Sequence, residues 1–295
     1  MRKRFKILTT ILCIGLFAAM ALGSGSSDST DNKEIVNDSD SNAAEEHVDV
    51  TIEEQVLLDQ NGIVITATEY VTDSLWGDGI KLLIENNSEK SVSVSCNALI
   101  VNYYMISDLF VADVAAGKKA NETMYLSSSE LNAAGIDTVG QVEVYFHVYD
   151  SSTFDGIFDS DCVTIQTSAF DNMDTTPMDM GTELYNANGI RIVGKAVDEN
   201  SFWGTAILLY CENTSGKNVG ISVDNMSING FMMEPFFSTT VYDNKMSLDE
   251  ITIFSSDLED NGIEAIEEVE VKFHIYNADT YDTIADSDPI TFSAQ

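Results

Sequence analysis

The feature that most constrains this sequence is a repeat with a long period. The stretch LWGDGIKLLIENNSEKSV begins at Leu75, and FWGTAILLYCENTSGKNV begins at Phe202, 127 positions later. The same offset holds without a gap from Asn61 to the end of the chain, and it pairs Lys118 with Lys245. Solenoids and propellers have periods of roughly 20–50 residues, so this period indicates that a whole domain is duplicated.

Each copy has the pattern of a β-protein. In QVEVYFHVYD (141–150) and EVEVKFHIYN (268–277), apolar and polar residues alternate, which is typical of half-buried strands. Separate strands are predicted over 91–97 and 98–105. Gly117 and Asn244 both tolerate positive φ, which predicts a tight turn in each copy. Many short strands joined by such turns indicate a β-sandwich of about eight strands.

One short helical turn is predicted in each copy. The stretches SSSELNAAGI and SSDLEDNGI combine Ser or Asp, which can cap a helix start, with a glycine that can end it. These glycines are Gly135 and Gly262.

The sequence resembles immunoglobulin-like domains of unknown function from exported proteins of Firmicutes. The stretches that carry the resemblance are LWGDGIKLLIENNSEKSVSV, VNYYMI, DVAAGKKANETMYL and VEVYFHVYD. It covers both copies, and its motifs are structural. The resemblance implies an all-β fold of two tandem immunoglobulin-like β-sandwich domains in an extracytoplasmic setting, and it assigns no activity to any residue.

The N-terminus has the pattern of a secretory signal peptide over residues 1–23. Four basic residues precede an apolar run from Ile7 to Leu22, and small residues follow. Ser24 stands where a lipid-modified cysteine would be expected, which favours release or an uncleaved anchor over a lipid anchor.

The remaining chain divides by composition and by the repeat. Residues 24–50 are rich in Ser, Asp, Asn and Glu, which predicts a disordered acidic linker. The first β-sandwich domain is predicted over 51–168, a linker over 169–177 and the second domain over 178–295.

The net charge of −35 limits the partners. Such a chain is repelled by the phosphates of nucleic acid and by anionic lipid. We therefore expect a protein or glycan partner, no nucleic acid, and membrane contact only through the N-terminal segment. The sequence implies no cofactor.

No catalytic pattern stands out. A nucleophile elbow of the form G-x-S-x-G is absent, as is a phosphate-binding glycine loop. The sequence therefore favours a non-enzymatic, exported binding protein of the bacterial cell envelope or extracellular space. A carbohydrate- or calcium-binding module is the alternative, and an unrecognised hydrolase is the third hypothesis.

The calcium alternative depends on a repeated Asp-Ser-Asp motif. Calcium prefers carboxylate and other oxygen ligands, although it needs six to eight of them, and the competing interpretation is a solvated acidic loop. The candidates are Asp159, Asp161, Asp286 and Asp288.

The histidines and cysteines have structural interpretations beside functional ones. His147 and His274 occupy matching strand positions, which favours surface or cross-strand packing over a ligand role. Cys96 and Cys211 each match an aliphatic residue in the other copy, so they are predicted to be core residues. A bridge between Cys96 and Cys162 is left open.

Two stretches rich in methionine and aromatic residues form the candidate binding surface. They hold more large apolar side chains than one face of a strand buries, and such residues are common at contact surfaces. The competing interpretation is that they pack between sheets or between domains. The residues are Tyr103, Tyr104, Met105, Phe110, Phe231, Met232, Met233, Phe236 and Phe237.

Overall fold

The computed structural model describes residues 50–107, 109–201 and 204–293. The predicted signal peptide and the predicted acidic linker, apart from residue 50, lie outside these residues. In the part that is described, no helix is long and apolar enough to cross a membrane.

The strands of the first half alternate with tight turns and with one short helix. They are β1 (Gln55–Gln60), β2 (Ile63–Asp73), β3 (Gly77–Asn86), β4 (Val92–Val101), β5 (Tyr104–Ile106), β6 (Val111–Val114), β7 (Lys118–Tyr125), α1 (Ser128–Ala133), β8 (Gln141–Asp150), β9 (Gly156–Asp159) and β10 (Val163–Gln166).

A single 3-10 turn at Phe170–Asn172 precedes the second half, whose elements follow in the same order. They are β11 (Thr182–Ala187), β12 (Ile190–Ser201), β13 (Gly204–Asn213), β14 (Val219–Ile228), β15 (Phe231–Met233), β16 (Ser238–Val241), β17 (Lys245–Phe254), α2 (Ser255–Asp260), β18 (Glu268–Asn277), β19 (Thr283–Asp286) and β20 (Ile290–Ser293).

The strands of the first half form two layers. One sheet has the order β1-β2-β3-β7, and the other contains β10-β8-β4, with β5 and β6 also pairing with β4 and β9 pairing with β8. The chain crosses between the layers after β3, after β6 and after β7, as in an immunoglobulin-like sandwich. The second half places β11-β12-β13-β17 and β14-β18 in the same arrangement. The predicted all-β, immunoglobulin-like fold is confirmed.

The two halves share a sheet. Strand β5 of the first half pairs in parallel with β17 of the second, where Tyr104 lies opposite Met246. This pairing joins strands from both halves into one ten-stranded sheet, with β10 at one end and β11 at the other. All described residues belong to one compact unit. The domain bounds 51–168 and 178–295 stay a prediction.

Two apolar cores lie between the layers. Phe146 of β8 is fully buried in the first core, and Phe273 of β18, 127 positions on, is fully buried in the second. The alternation of residues along these strands therefore places one face inside, as predicted. On β8, however, Gln141 and Glu143 of the predicted polar face are buried as well. The structure corrects a nearby prediction, because 91–97 and 98–105 are not separate strands. β4 runs through the predicted break with a register shift between Cys96 and Ala98.

The short helices α1 and α2 confirm the predicted helical turns. Gly135 and Gly262 follow them with φ of 68° and 65°, a conformation that suits glycine. The predicted polar caps are wrong: neither Ser127 before α1 nor Phe254 before α2 makes a side-chain cap hydrogen bond.

Buried asparagines close the turns of both sandwiches. The side-chain Nδ2 of Asn86 donates to the carbonyls of Lys90 and Val114 at 2.7 and 2.8 Å, and its Oδ1 accepts from the Ser88 N–H at 2.9 Å. Asn213 makes the equivalent three bonds at 2.7–3.0 Å. The backbone groups of the turn thus find partners where water does not reach them.

Substitution of Asn86 by alanine tests this role. We expect Asn86→Ala to lower the free energy of unfolding by about 2 kcal/mol, because it leaves buried backbone groups without partners. Chemical denaturation measures the change. The control is Asn87→Ala, at an exposed neighbour, which should stay within about 0.5 kcal/mol of the parent. Equal effects of the two substitutions would contradict the role of Asn86.

Candidate functional site

The candidate residues of the first half are buried or half-buried, and β5 lies against the second half of the chain. The side chain of Tyr104 on β5 is only 2% exposed, and Phe110 is buried as well. Tyr103 and Met105 are half-buried. The N–H of Met246 on β17 donates to the carbonyl of Tyr103 at 2.9 Å. We call this contact between β5 and β17, with the side chains that pack around it, the junction.

An ion pair lies inside the junction. The Nζ of Lys245 is 2.5 Å from the Oε2 of Glu143, and each side chain is only 12% exposed. The Oε1 of Glu143 accepts a hydrogen bond from Gln141 Nε2 at 2.9 Å, and the Lys245 ammonium lies 5.0 Å from the centre of the Tyr103 ring. Because desolvation offsets much of the attraction, such a pair specifies which strands meet more than it stabilises them.

Apolar side chains of the second half also reach the first core at the junction. Val193, Tyr210 and Met246 come from the second half but pack into the first core. The N–H of Met178, just before β11, donates to the Tyr104 hydroxyl at 2.8 Å. Burial raises the pKa of Tyr104 above its usual value. The junction is therefore a contact that is largely removed from water.

The matching strand in the second half is uncovered. β15 stands at the end of its sheet, and in the described residues it pairs with β14 alone. Phe231 is 46% exposed, Met232 67% and Phe236 73%, whereas Met233 is buried and Phe237 half-buried. We call Phe231, Met232, Phe236 and the free edge of β15 the β15 surface. Exposed apolar side chains beside an unpaired strand edge are typical of a protein contact site.

Each histidine bonds to an aspartate of the Asp-Ser-Asp motif. The Nδ1 of His147 is 2.6 Å from Asp159 Oδ1, and the Nδ1 of His274 is 2.6 Å from Asp286 Oδ1. The hydrogen bond to His147 lowers the pKa of Asp159. Sequence reasoning missed these pairs, because the partners are 12 positions apart on neighbouring strands.

The serine between the aspartates explains the motif structurally. Ser160 is buried and accepts a hydrogen bond from the Phe146 N–H at 2.8 Å, and Ser287 does the same for Phe273 at 2.9 Å. The flanking Asp161 and Asp288 are exposed. Across the described residues, no group of three His, Cys, Asp or Glu side chains is placed to hold a metal ion.

A row of aromatic rings continues from each histidine. His147 stacks on Tyr149, which stacks on Phe154, with ring centres 5.3 and 6.2 Å apart. His274, Tyr276 and Tyr281 form the matching row at 5.5 and 6.1 Å. Phe154 and Tyr281 are exposed and have positive φ, a costly conformation for aromatic residues. Their match at the 127-residue offset was the signal in the sequence that could have revealed them.

Among the described residues, no disulfide bond joins any two of the three cysteines. Cys211 is buried in the second core, Cys96 is half-buried and Cys162 is exposed. The bridge between Cys96 and Cys162 that the sequence left open is therefore not formed in this structure.

No protein-family model and no curated protein matches this sequence. Several solved structures are similar to this chain at low identity. The Salmonella enterica SafA pilin in complex with the SafB chaperone is 9% identical over 73% of this chain and 88% of that chain, with a TM-score of 0.22. A protein of unknown function from Porphyromonas gingivalis W83 is 11% identical over 74% and 90%, with a TM-score of 0.21. The YadV chaperone is 11% identical over 79% and 99%, with a TM-score of 0.24. At these TM-scores, none of the three carries an argument about what this chain does.

Removal of the junction lysine tests the ion pair. We expect Lys245→Met to lower the free energy of unfolding by about 3 kcal/mol, because it leaves the Glu143 carboxylate buried without its partner. The double substitution with Glu143→Gln should recover part of this loss in a double-mutant cycle. Lys118→Met, at the matching exposed position, is the control and should change stability little. If the effects of Lys245→Met and Glu143→Gln on the free energy of unfolding are additive, the two side chains are not coupled.

A buried carboxyl on β17 predicts a pH dependence. Burial raises the pKa of Asp249, and its Oδ2 has no hydrogen-bond partner among the described residues. A raised pKa means that the folded state binds this proton more tightly than the unfolded state, so stability falls as the pH rises above the usual range of an aspartate.

The variant Asp249→Asn removes the carboxyl that binds this proton. Its Tm should exceed that of the parent at pH 7, and the difference should shrink as the pH falls towards the ordinary range of an aspartate. Thermal unfolding over a pH series measures the difference, with Asp260→Asn, at an exposed position, as the control. A Tm difference that is independent of pH would show that the Asp249 carboxyl is not responsible.

Proposed function

We propose that this chain is an exported, non-enzymatic protein that binds another protein through the β15 surface. One observation carries the proposal. The hairpin between β4 and β5 is buried by a neighbouring strand, whereas the matching hairpin between β14 and β15 leaves Phe231 and Met232 exposed at a free strand edge.

A strand edge of this kind recognises a partner in two ways. Its unpaired N–H and C=O groups bond to an added strand of the partner, and apolar side chains beside the edge provide affinity. Exposed phenylalanine and methionine have the chemistry of contact residues, since both bury a large apolar area on binding. The partner is therefore a protein that presents a strand edge and an apolar face.

The proposal also includes an extracytoplasmic location and a role in binding rather than in catalysis. The basic and apolar leader and the resemblance to exported domains of Firmicutes support an extracytoplasmic location, at the cell envelope or outside it. The absence from the sequence of a nucleophile elbow and of a phosphate-binding loop supports a role in binding rather than catalysis. The acidic charge supports a partner that is neither nucleic acid nor anionic lipid.

Site-specific photo-cross-linking tests the proposal in the source cell. A photoreactive residue at position 232 should give a discrete protein adduct, whereas one at Leu75, which is also exposed, should not. Phe231→Ser should reduce the yield of that adduct about tenfold, the effect of losing about 1.4 kcal/mol of binding energy. No adduct at position 232, or the same adducts at both positions, would overturn the proposal.

A further inference from the structure

We infer that the partner of the β15 surface is a second copy of this chain, which docks through the free edge of its β7. The inference rests on the proposed function and names the partner for that same surface. The junction inside the molecule is the template, because it already joins one copy of this fold to another.

Each of the two strands that meet at the junction has a counterpart in the other half of the chain, and in the described residues the outer edge of that counterpart is unpaired. Within the molecule, β5 pairs with the outer edge of β17. At the 127-residue offset, β15 matches β5 and β7 matches β17. β15 ends one sheet and β7 ends another, so in the described residues neither outer edge has a strand beside it. A second molecule could therefore repeat the contact, with its β7 lying beside β15.

The charges at the two free edges are complementary. The junction pair is Lys245 with Glu143. Their counterparts at the same offset are Lys118, exposed at the start of β7, and Glu270, exposed on β18. Neither forms an ion pair within the described residues, and docking of β7 beside β15 would bring them together. An ion pair like the one at the junction can therefore form a second time, between Lys118 of one molecule and Glu270 of another.

The apolar part of the contact is only partly repeated. Phe231 takes the place of Tyr104, and Leu83 on β3 takes the place of Tyr210, so apolar side chains remain on both sides. On β7, however, Lys119 stands at the position of Met246. A lysine on a free edge strand keeps the isolated molecule soluble. The contact between molecules is also untethered, so it must be weaker than the junction and must depend on concentration.

The geometry of the contact determines the kind of assembly. The β15 surface and β7 are different surfaces, so the contact is heterologous and each molecule still has one free site of each kind after docking. Assembly then continues into rows or closes into rings, rather than stopping at a two-fold dimer.

Charge-reversal variants provide the test. They are made in the full chain and purified in the form that the source cell produces. The sedimentation coefficient of the parent protein should rise with concentration, past that of a dimer. Lys118→Glu and Glu270→Lys should each abolish this rise, because they place like charges opposite each other. An equimolar mixture of the two variants should assemble again, because each contact in the mixture can then join opposite charges.

Matched controls separate this contact from general charge effects. Lys217→Glu and Glu54→Lys make the same charge changes at exposed positions away from β7 and β15, and they should assemble like the parent. A parent protein that remains monomeric at all concentrations would overturn the inference. So would single variants that assemble like the parent, or an equimolar mixture of Lys118→Glu and Glu270→Lys that does not assemble.

The cross-linking experiment distinguishes this inference from the proposed function. An adduct at position 232 that consists of two copies of the chain supports both. An adduct with a different protein, from a chain that does not self-associate, leaves the proposed function standing and overturns the identity of the partner. Absence of any adduct overturns both.

Discussion

The parallel pairing of β5 with β17, and the Lys245–Glu143 ion pair beside it, is the contact on which the rest of the architecture depends. Without it, the chain would consist of two sandwiches that each bury their own core. With it, Val193, Tyr210 and Met246 pack into the first core, and strands from both halves form one sheet. A buried charge tolerates few partners, so the ion pair allows this alignment of strands and penalises others.

The same polar side-chain contacts occur in both sandwiches, at equivalent positions. Buried asparagines satisfy the turn backbone, a buried serine supports the strand beside it, and a histidine bonds to an aspartate on the adjacent strand. These contacts explain structurally why polar residues such as Asn86 and Ser160 recur in both halves. The free edges of β7 and β15 make no such contacts in the described residues, and we propose that they bind a partner.

Much of the fold follows from the sequence, because alternation and turn residues are local signals. The strand at 141–150, the helical turns and the positive φ of Gly117 and Asn244 could all be predicted. The candidate site could be predicted only as a set of residues. Tyr104 and Phe231 have equivalent local patterns, yet one is buried and the other exposed, because a distant strand covers only the first. Pairs such as His147 and Asp159 depend on strand register, which the pattern of either strand alone does not fix.

The burial of the junction has a consequence for a protein that is as acidic as this one. The repulsion among surface carboxylates of a chain with a net charge of −35 weakens as dissolved ions screen it. Lys245 and Glu143 are largely removed from water, so screening reaches them little. The contact between the halves should therefore depend little on ionic strength, whereas the electrostatic forces between whole molecules should change with it.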